Sequence, residues 1–260
     1  MPVSFKPFAS PGLARTLKGL ALAAAWLGLI ASQGSEMAQA QVRRVKDVVE
    51  KASKAKPPSH RSQRQGMFAL TQIERASVVM LGDSLTERAQ WSEITGCPFV
   101  ANRGIGADDS AGVLRRLDEV TKLNPFAVFL MIGVNDVASS VPVEKIAANV
   151  QQVVAQLNEA DVKVYLTAVL PVTQGYRRKI NPKINELNVL YARMQSDRVK
   201  FIDFTRDVVG EEGALADTLS IDGIHLSPEG YRIWRDAITP LVSEHCVNPP
   251  RPTKAARTSQ

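Results

Sequence analysis

The sequence predicts one α/β domain built on a parallel sheet covered by helices on both faces. Three observations predict it. Five short apolar runs are each bounded by turn residues, helical patterns lie between them, and every connection is long enough for a crossover. The 260-residue chain is 45% hydrophobic and 22% charged. That is ordinary globular composition, which excludes disorder throughout, collagen-like repeats and disulfide-dense mini-proteins.

The expected strands are residues 77–81, 98–102, 126–132, 162–169 and 199–204, the third being the strongest. Between them, apolar residues recur at helical spacing. Val113, Leu114, Leu117 and Val120 mark one helix, and Ile146, Val150, Val153, Val154 and Leu157 mark another. Ile184, Leu187, Leu190, Tyr191 and Met194 mark a third. The last helix carries Trp234, Ala237, Ile238, Leu241 and Val242 on one face, with Ser227 as N-cap and Pro228 at its first position. These elements define one domain over residues 66–246, with no internal repeat.

The flanks read differently. Lys6, Arg15 and Lys18 precede an apolar run over residues 19–31, and Ala38-Gln39-Ala40 follows as a small-x-small site. A run of 13 residues is short for a bilayer, which takes roughly 20. Residues 1–40 are therefore expected to be a secretory signal peptide, cleaved before Gln41, and the product to be periplasmic or secreted. An uncleaved membrane anchor is the alternative. No Cys follows the apolar run, so a lipid anchor is not expected. Residues 41–65 are polar and basic and are expected to form a short helix followed by a flexible linker, and residues 247–260 a disordered tail.

The formal charge of +6 belongs to these ends. Residues 41–65 carry +6 and residues 247–260 carry +3, while residues 66–246 are net −5. A mildly acidic folded part argues against nucleic-acid binding. The basic ends could associate weakly with an anionic membrane or cell-wall surface. Oligomeric state is not legible. The two cysteines, Cys97 and Cys246, lack partners at metal-ligand spacing. Strand two starts just after Cys97 at the amino edge of the sheet. The last helix runs back to that edge and ends near Cys246, so the two are expected within bridging distance.

Ligands of an open parallel sheet sit beyond the carboxyl ends of its strands. Four polar segments converge there: Gly82-Asp83-Ser84-Leu85, Asn102-Arg103-Gly104-Ile105-Gly106-Ala107-Asp108, Gly133-Val134-Asn135-Asp136 and Asp222-Gly223-Ile224-His225. These residue types fit acyl transfer. Ser84 needs a base to take its proton. Of the three histidines, His60 lies in the expected linker and His245 at the end of the last helix, which leaves His225. Asp222 can orient its imidazole. The backbone N–H of Ser84, an N–H of the second segment and the Asn135 amide can meet a developing oxyanion. Singly, each feature is more often a turn or cap; the four in order are specific.

These segments resemble the blocks of the SGNH hydrolases, also called GDSL esterases/lipases, over nearly all of residues 66–246. The second block and Gly112-Val113-Leu114-Arg115-Arg116-Leu117 look most like the platelet-activating-factor acetylhydrolase-like branch. The resemblance implies a three-layer flavodoxin-like sandwich with a central five-stranded parallel sheet. It implies Ser84, His225 and Asp222 as catalytic triad, and Ser84, Ala107 and Asn135 as oxyanion hole, with no cofactor or metal. Ala107 stands where that branch usually has Gly; alanine keeps the N–H but is strained if φ is positive. Val134 replaces a common Thr and is expected beside the substrate.

The expected function is an exported serine esterase acting on short-chain acyl esters. A lysophospholipase, a thioesterase or a carbohydrate O-deacetylase would use the same site. A different class of function, a non-catalytic anion- or surface-binding module, has no need of Asp222 and His225 together. In the loop after strand four, Arg177, Arg178 and Lys179 could attract an anionic substrate, although a solvated loop is the commoner role.

Overall fold

The structure, a computed structural model, describes residues 36–54, 58–176 and 179–247. The chain divides into two compact units, one ending at Pro58 and one starting at Ser59. In the first, helix α1 (Glu36–Lys54) crosses the expected cleavage point before Gln41. The rest of the expected signal peptide and the tail from residue 248 lie outside the described residues.

The second unit is the expected sandwich. Its strands are β1 (Val78–Gly82), β2 (Val100–Gly104), β3 (Ala127–Met131), β4 (Lys163–Thr167) and β5 (Val199–Ile202). All neighbours are parallel, in the order β2-β1-β3-β4-β5. β1 and β3 are buried along their whole length, so they read as continuous apolar runs rather than as alternating ones.

The period of two along each strand divides the core between the faces. Val79, Leu81, Val128, Leu130, Val164 and Leu166 face one helical layer. That layer holds α5 (Ser110–Arg115), α6 (Asp118–Thr121), α8 (Val143–Glu159) and α9 (Asn181–Ala192). Val78, Met80, Phe129, Met131 and Tyr165 face the other, which holds α4 (Trp91–Thr95) and α10 (Pro228–Ser243). α10 starts as read: the Ser227 side chain accepts from the Gly230 N–H, and Pro228 opens the helix.

Three expectations change. The folded unit begins at Ser59 rather than at residue 66, because α2 (His60–Leu70) is a helix and not a linker. Its sequence has little apolar periodicity; charge and the buried Phe68 hold it, as described below. The helix expected through Val113 and Val120 is broken into α5 and α6. At the break, the Arg116 side chain turns inward to Asp108 and to the Gly82 carbonyl. Two short helices, α3 (Ser84–Glu87) and α7 (Val134–Ala138), follow β1 and β3 and were not read from periodicity, since one turn carries none.

Cys97 and Cys246 form a disulfide with a Cα–Cα distance of 5.9 Å. Two more links fasten the same end of α10 to the amino edge: Ser77 Oγ donates to the Val247 carbonyl at 2.9 Å, and Tyr165 Oη lies 2.8 Å from His245 Nε2. The bridge spans 149 residues of sequence, so its removal frees a long loop in the unfolded chain. Replacing both cysteines by alanine is expected to lower stability by about 2–5 kcal/mol, read as a lower urea midpoint. An unchanged midpoint would show that the bridge does not contribute to stability.

Candidate active site

The carboxyl edge of the sheet brings the expected triad and oxyanion-hole residues together. Ser84, Ala107, Asn135, Asp222 and His225 line one cleft of about 660 Å3, together with Arg88, Gly106, Gly175, Tyr176 and Ile224.

Ser84 opens α3 directly after β1. The Asp83 side chain caps that turn by accepting the Leu85 N–H at 2.9 Å. Three carbonyls at the end of α3, those of Thr86, Glu87 and Ala89, accept from Asn102 Nδ2 on β2 at 3.0 to 3.1 Å. Tyr231 Oη of α10 donates to the Leu85 carbonyl at 2.8 Å, tying α10 to the serine turn. Gly104 is required for this packing: a Cβ there would run into the backbone of Thr86 and Glu87.

His225 lies two residues before the N-cap of α10. Its Nε2 is 2.8 Å from Ser84 Oγ, and its Nδ1 is 2.6 Å from Asp222 Oδ2. Asp222 Oδ1 also accepts the N–H groups of His225 at 2.8 Å and Ile224 at 3.2 Å. Partial burial pushes the Asp222 carboxyl up. The His225 N–H, the imidazole and the Ile224 N–H outweigh it and hold the group below the ordinary carboxylate range. An ionised Asp222 favours the proton on Nδ1, which leaves Nε2 free to accept from Ser84. Ser220 clasps the loop: its Oγ donates to the His225 carbonyl and accepts the Gly223 N–H.

Asn135 donates from Nδ2 to the Asp108 carbonyl at 2.8 Å. One amide hydrogen is thus used to aim the group, and the second remains for a ligand. Ala107 has φ +59°, a left-handed conformation that is strained for a residue with a Cβ, and it retains its backbone N–H. Asp108, next in the chain, is fully buried. Its carboxylate takes Arg116 Nε at 2.7 Å, Arg61 and the Asp109 N–H. Asp136 fixes the neighbouring helix: it accepts from the Ser110 N–H and, at 2.6 Å, from Ser110 Oγ.

The sequence-based reading missed Asp108, Arg61 and Glu87. Only the Asp at the end of the second block signalled the first. Val134 departs from the expectation: it is buried in the core and does not line the cleft. His245 bonds Tyr165 at the far edge and His60 bonds Glu87 at 3.0 Å, so neither competes for Ser84. Arg177 and Arg178 lie outside the described residues.

A family model described as the GDSL-like Lipase/Acylhydrolase family matches residues 80–233. A GDSL-like lipase from Bacteroides thetaiotaomicron is similar in structure, with 27% identity and a TM-score of 0.61, over 70% of this chain and 97% of that one. A candidate platelet activating factor from Streptococcus pneumonia gives 22% identity and a TM-score of 0.64, over 80% and 100%. An acetylxylan esterase from Geobacillus stearothermophilus gives 18% and 0.54, over 69% and 100%. The last two likenesses are of fold. In sequence, 28% identity over 173 residues links the chain to an N-acylneuraminate cytidylyltransferase from Streptococcus agalactiae. The match covers 65% of this chain and 39% of that protein, so the chain spans well under half the length of this curated relative.

One buried acid beside the site has a measurable signature. Asp83 Oδ2 has no hydrogen-bond partner. Burial pushes its carboxyl up to about 7, against the Leu85 N–H, and Asp108 and Asp136 add to the rise. The folded chain therefore keeps a proton that the unfolded chain releases above pH 3.8. Its contribution to stability is fully present below that value and is lost as pH rises to about 7. Asp83→Asn, which cannot ionise, is expected to gain in melting temperature relative to the parent as pH rises from about 4 to 7, with a constant difference above. Parallel melting curves across that window would refute a raised Asp83.

Proposed function

The chain belongs to the GDSL-like lipase/acylhydrolase family, and from that premise we propose that it is an exported serine esterase that cleaves short-chain carboxylic esters. The observation that carries the reading is the continuous line of contacts from Ser84 Oγ to His225 Nε2, 2.8 Å, and from His225 Nδ1 to Asp222 Oδ2, 2.6 Å. A serine at the mouth of a cleft, a base in contact with it and a carboxylate behind the base make a nucleophile from a weak hydroxyl.

Ser84 Oγ attacks the acyl carbon while His225 Nε2 takes its proton. The carbonyl oxygen gains negative charge and faces the N–H groups of Ser84 and Ala107 and the free hydrogen of Asn135 Nδ2. These donors are held in place before the reaction, so none has to reorganise as the charge forms. His225 then gives the proton to the leaving alcohol oxygen and the acyl group stays on Ser84. Water, activated by the same imidazole, releases it as the carboxylic acid.

Preference for short acyl groups rests on what lines the cleft. A long acyl chain gains about 0.8 kcal/mol per methylene only where apolar surface receives it. Arg88, Asp222 and Asn135 bring charge and amide groups into the lining, and Ile224 and the Tyr176 ring give it limited apolar surface. Of the aliphatics in the loop before Asp222, Val208 and Leu215 are buried in the core and Leu219 packs against it, while Ile221 is exposed and does not line the cleft. This lining favours small acyl groups on polar alcohols, which keeps a carbohydrate O-deacetylase as the second reading ahead of a lysophospholipase. Export rests on the basic start, the apolar run and the Ala-x-Ala site, and a disulfide suits an oxidising compartment.

Two measurements test the proposal. Ser84→Ala and His225→Ala are each expected to lower kcat by about 10⁶, and Asp222→Asn by less. Parent-like turnover by Ser84→Ala would end the mechanism. Across p-nitrophenyl esters, kcat/KM is expected to peak between acetate and butyrate and to be low at decanoate. A peak at decanoate or beyond would overturn the short-chain reading. Acetylated sugars and lysophospholipid, assayed in parallel, separate the remaining substrates.

A further inference from the structure

Helix α2 lies outside the four sequence blocks, yet it touches the second block at both ends. At one end of the loop, Arg64 Nε donates to the Gly104 carbonyl at 3.2 Å. At the other, the Arg61 guanidinium pairs with the buried Asp108 carboxylate. Between them, Glu87 of α3 accepts the Gly106 N–H and is itself held from above, by His60 Nε2 at 3.0 Å and by Arg64 Nε at 3.5 Å. Further along α2, Gln65 Nε2 donates to Glu119 at 2.8 Å, and the guanidinium groups of Arg64 and Arg103 lie over the Phe68 ring, 5.0 and 4.6 Å from its centre.

Two glycines show that the fit is built in. A Cβ on Gly112 would collide with the Asp108 carboxylate and the Arg61 guanidinium, so this glycine makes the room the ion pair fills. A Cβ on Gly106 would sit 3.0 Å from His60 Nε2. The segment between the anchors contains Ala107, whose positive φ makes it the one non-glycine residue of the loop in a strained conformation. Strain of that kind persists only where the surroundings enforce it.

We propose that α2 is a clamp on the oxyanion loop, and that Arg61, Arg64 and His60 are positioning residues which hold residues 104–108 so that the Ala107 N–H and, through the Asp108 carbonyl, the Asn135 amide face the reacting carbonyl oxygen. The proposal rests on the esterase reading for its effect on rate, but not for its effect on the loop. Releasing the clamp lets the loop relax away from the conformation that aims the donors. Transition-state stabilisation suffers more than substrate binding, because the donors matter most once the oxyanion has formed.

The test uses the full chain with Arg61→Ala, Arg64→Ala and Arg61→Lys, two readouts being taken on each. The first is steady-state hydrolysis of p-nitrophenyl acetate. Arg61→Ala is expected to lower kcat by about 10- to 100-fold with KM little changed, and Arg61→Lys to recover part of the loss. The second is hydrogen–deuterium exchange of the peptide covering residues 104–109. It is expected to quicken in both alanine variants while the β3 and β4 peptides stay protected. Parent-like kcat, or a loss confined to KM, would overturn the clamp. So would unchanged exchange, and that readout decides even if the parent hydrolyses no ester, a result that would refute the esterase reading separately. If Arg61→Ala does not fold, Arg64→Ala and Arg61→Lys carry the same two readouts.

Discussion

A carboxylate with no exposure to solvent holds the catalytic edge together. Asp108 has given up its hydration entirely, a loss that is tolerable only because Arg116, Arg61 and the Asp109 N–H replace it. Removing either guanidinium leaves charge uncompensated in a medium that stabilises it poorly. The geometry that follows is therefore enforced rather than merely allowed. The Asp108 carbonyl then has a fixed direction, and it aims Asn135. The preceding residue, Ala107, is kept in a backbone conformation it would not choose alone. Arg116 also reaches the Gly82 carbonyl at 3.1 Å, which links this anchor to the turn that presents Ser84.

The rest of the edge is arranged around acidity. Asp83, Asp108 and Asp136 lie close enough to influence one another, and Asp108 alone has guanidinium partners. Asp136 is instead satisfied by Ser110, and Asp83 by its proton near neutrality. Asp222, by contrast, is partly exposed and surrounded by donors, which hold its carboxyl below the ordinary range. Similar side chains gathered at the carboxyl edge of the sheet thus differ in how readily they ionise, set by burial and by the hydrogen bonds each receives.

Much of this was legible in the sequence. The five strands are fully or half buried and β-rich, so their apolar runs announce them. Ser84, Asn135, Asp222 and His225 follow from the ends of strands and from the scarcity of histidine. The strain at Ala107 was signalled only through the family resemblance, as an alanine where that branch usually has glycine, and the positive φ bears it out. What the sequence hid depends on long-range charge. His60, Arg61 and Arg64 look like part of a solvated basic linker, and only the fold brings them to Glu87 and Asp108, between 23 and 47 positions away in the chain. Arg116 interrupts an apolar helical pattern for the same reason. Val134 misled because its place in a catalytic block says nothing of which way a side chain points from a one-turn helix.

The Cys97–Cys246 bridge has a consequence for the order of biosynthesis. Ala107, Asn135, Asp222 and His225 all lie between its two cysteines, and Ser84 lies before them. During synthesis from the amino end, the partner of Cys97 therefore arrives only after every residue of the site has been made. The bond cannot steer early chain collapse. The bond joins the segment before strand β2 to the segment after α10, so in the order of synthesis it can form only after the nucleophile and its base have been made.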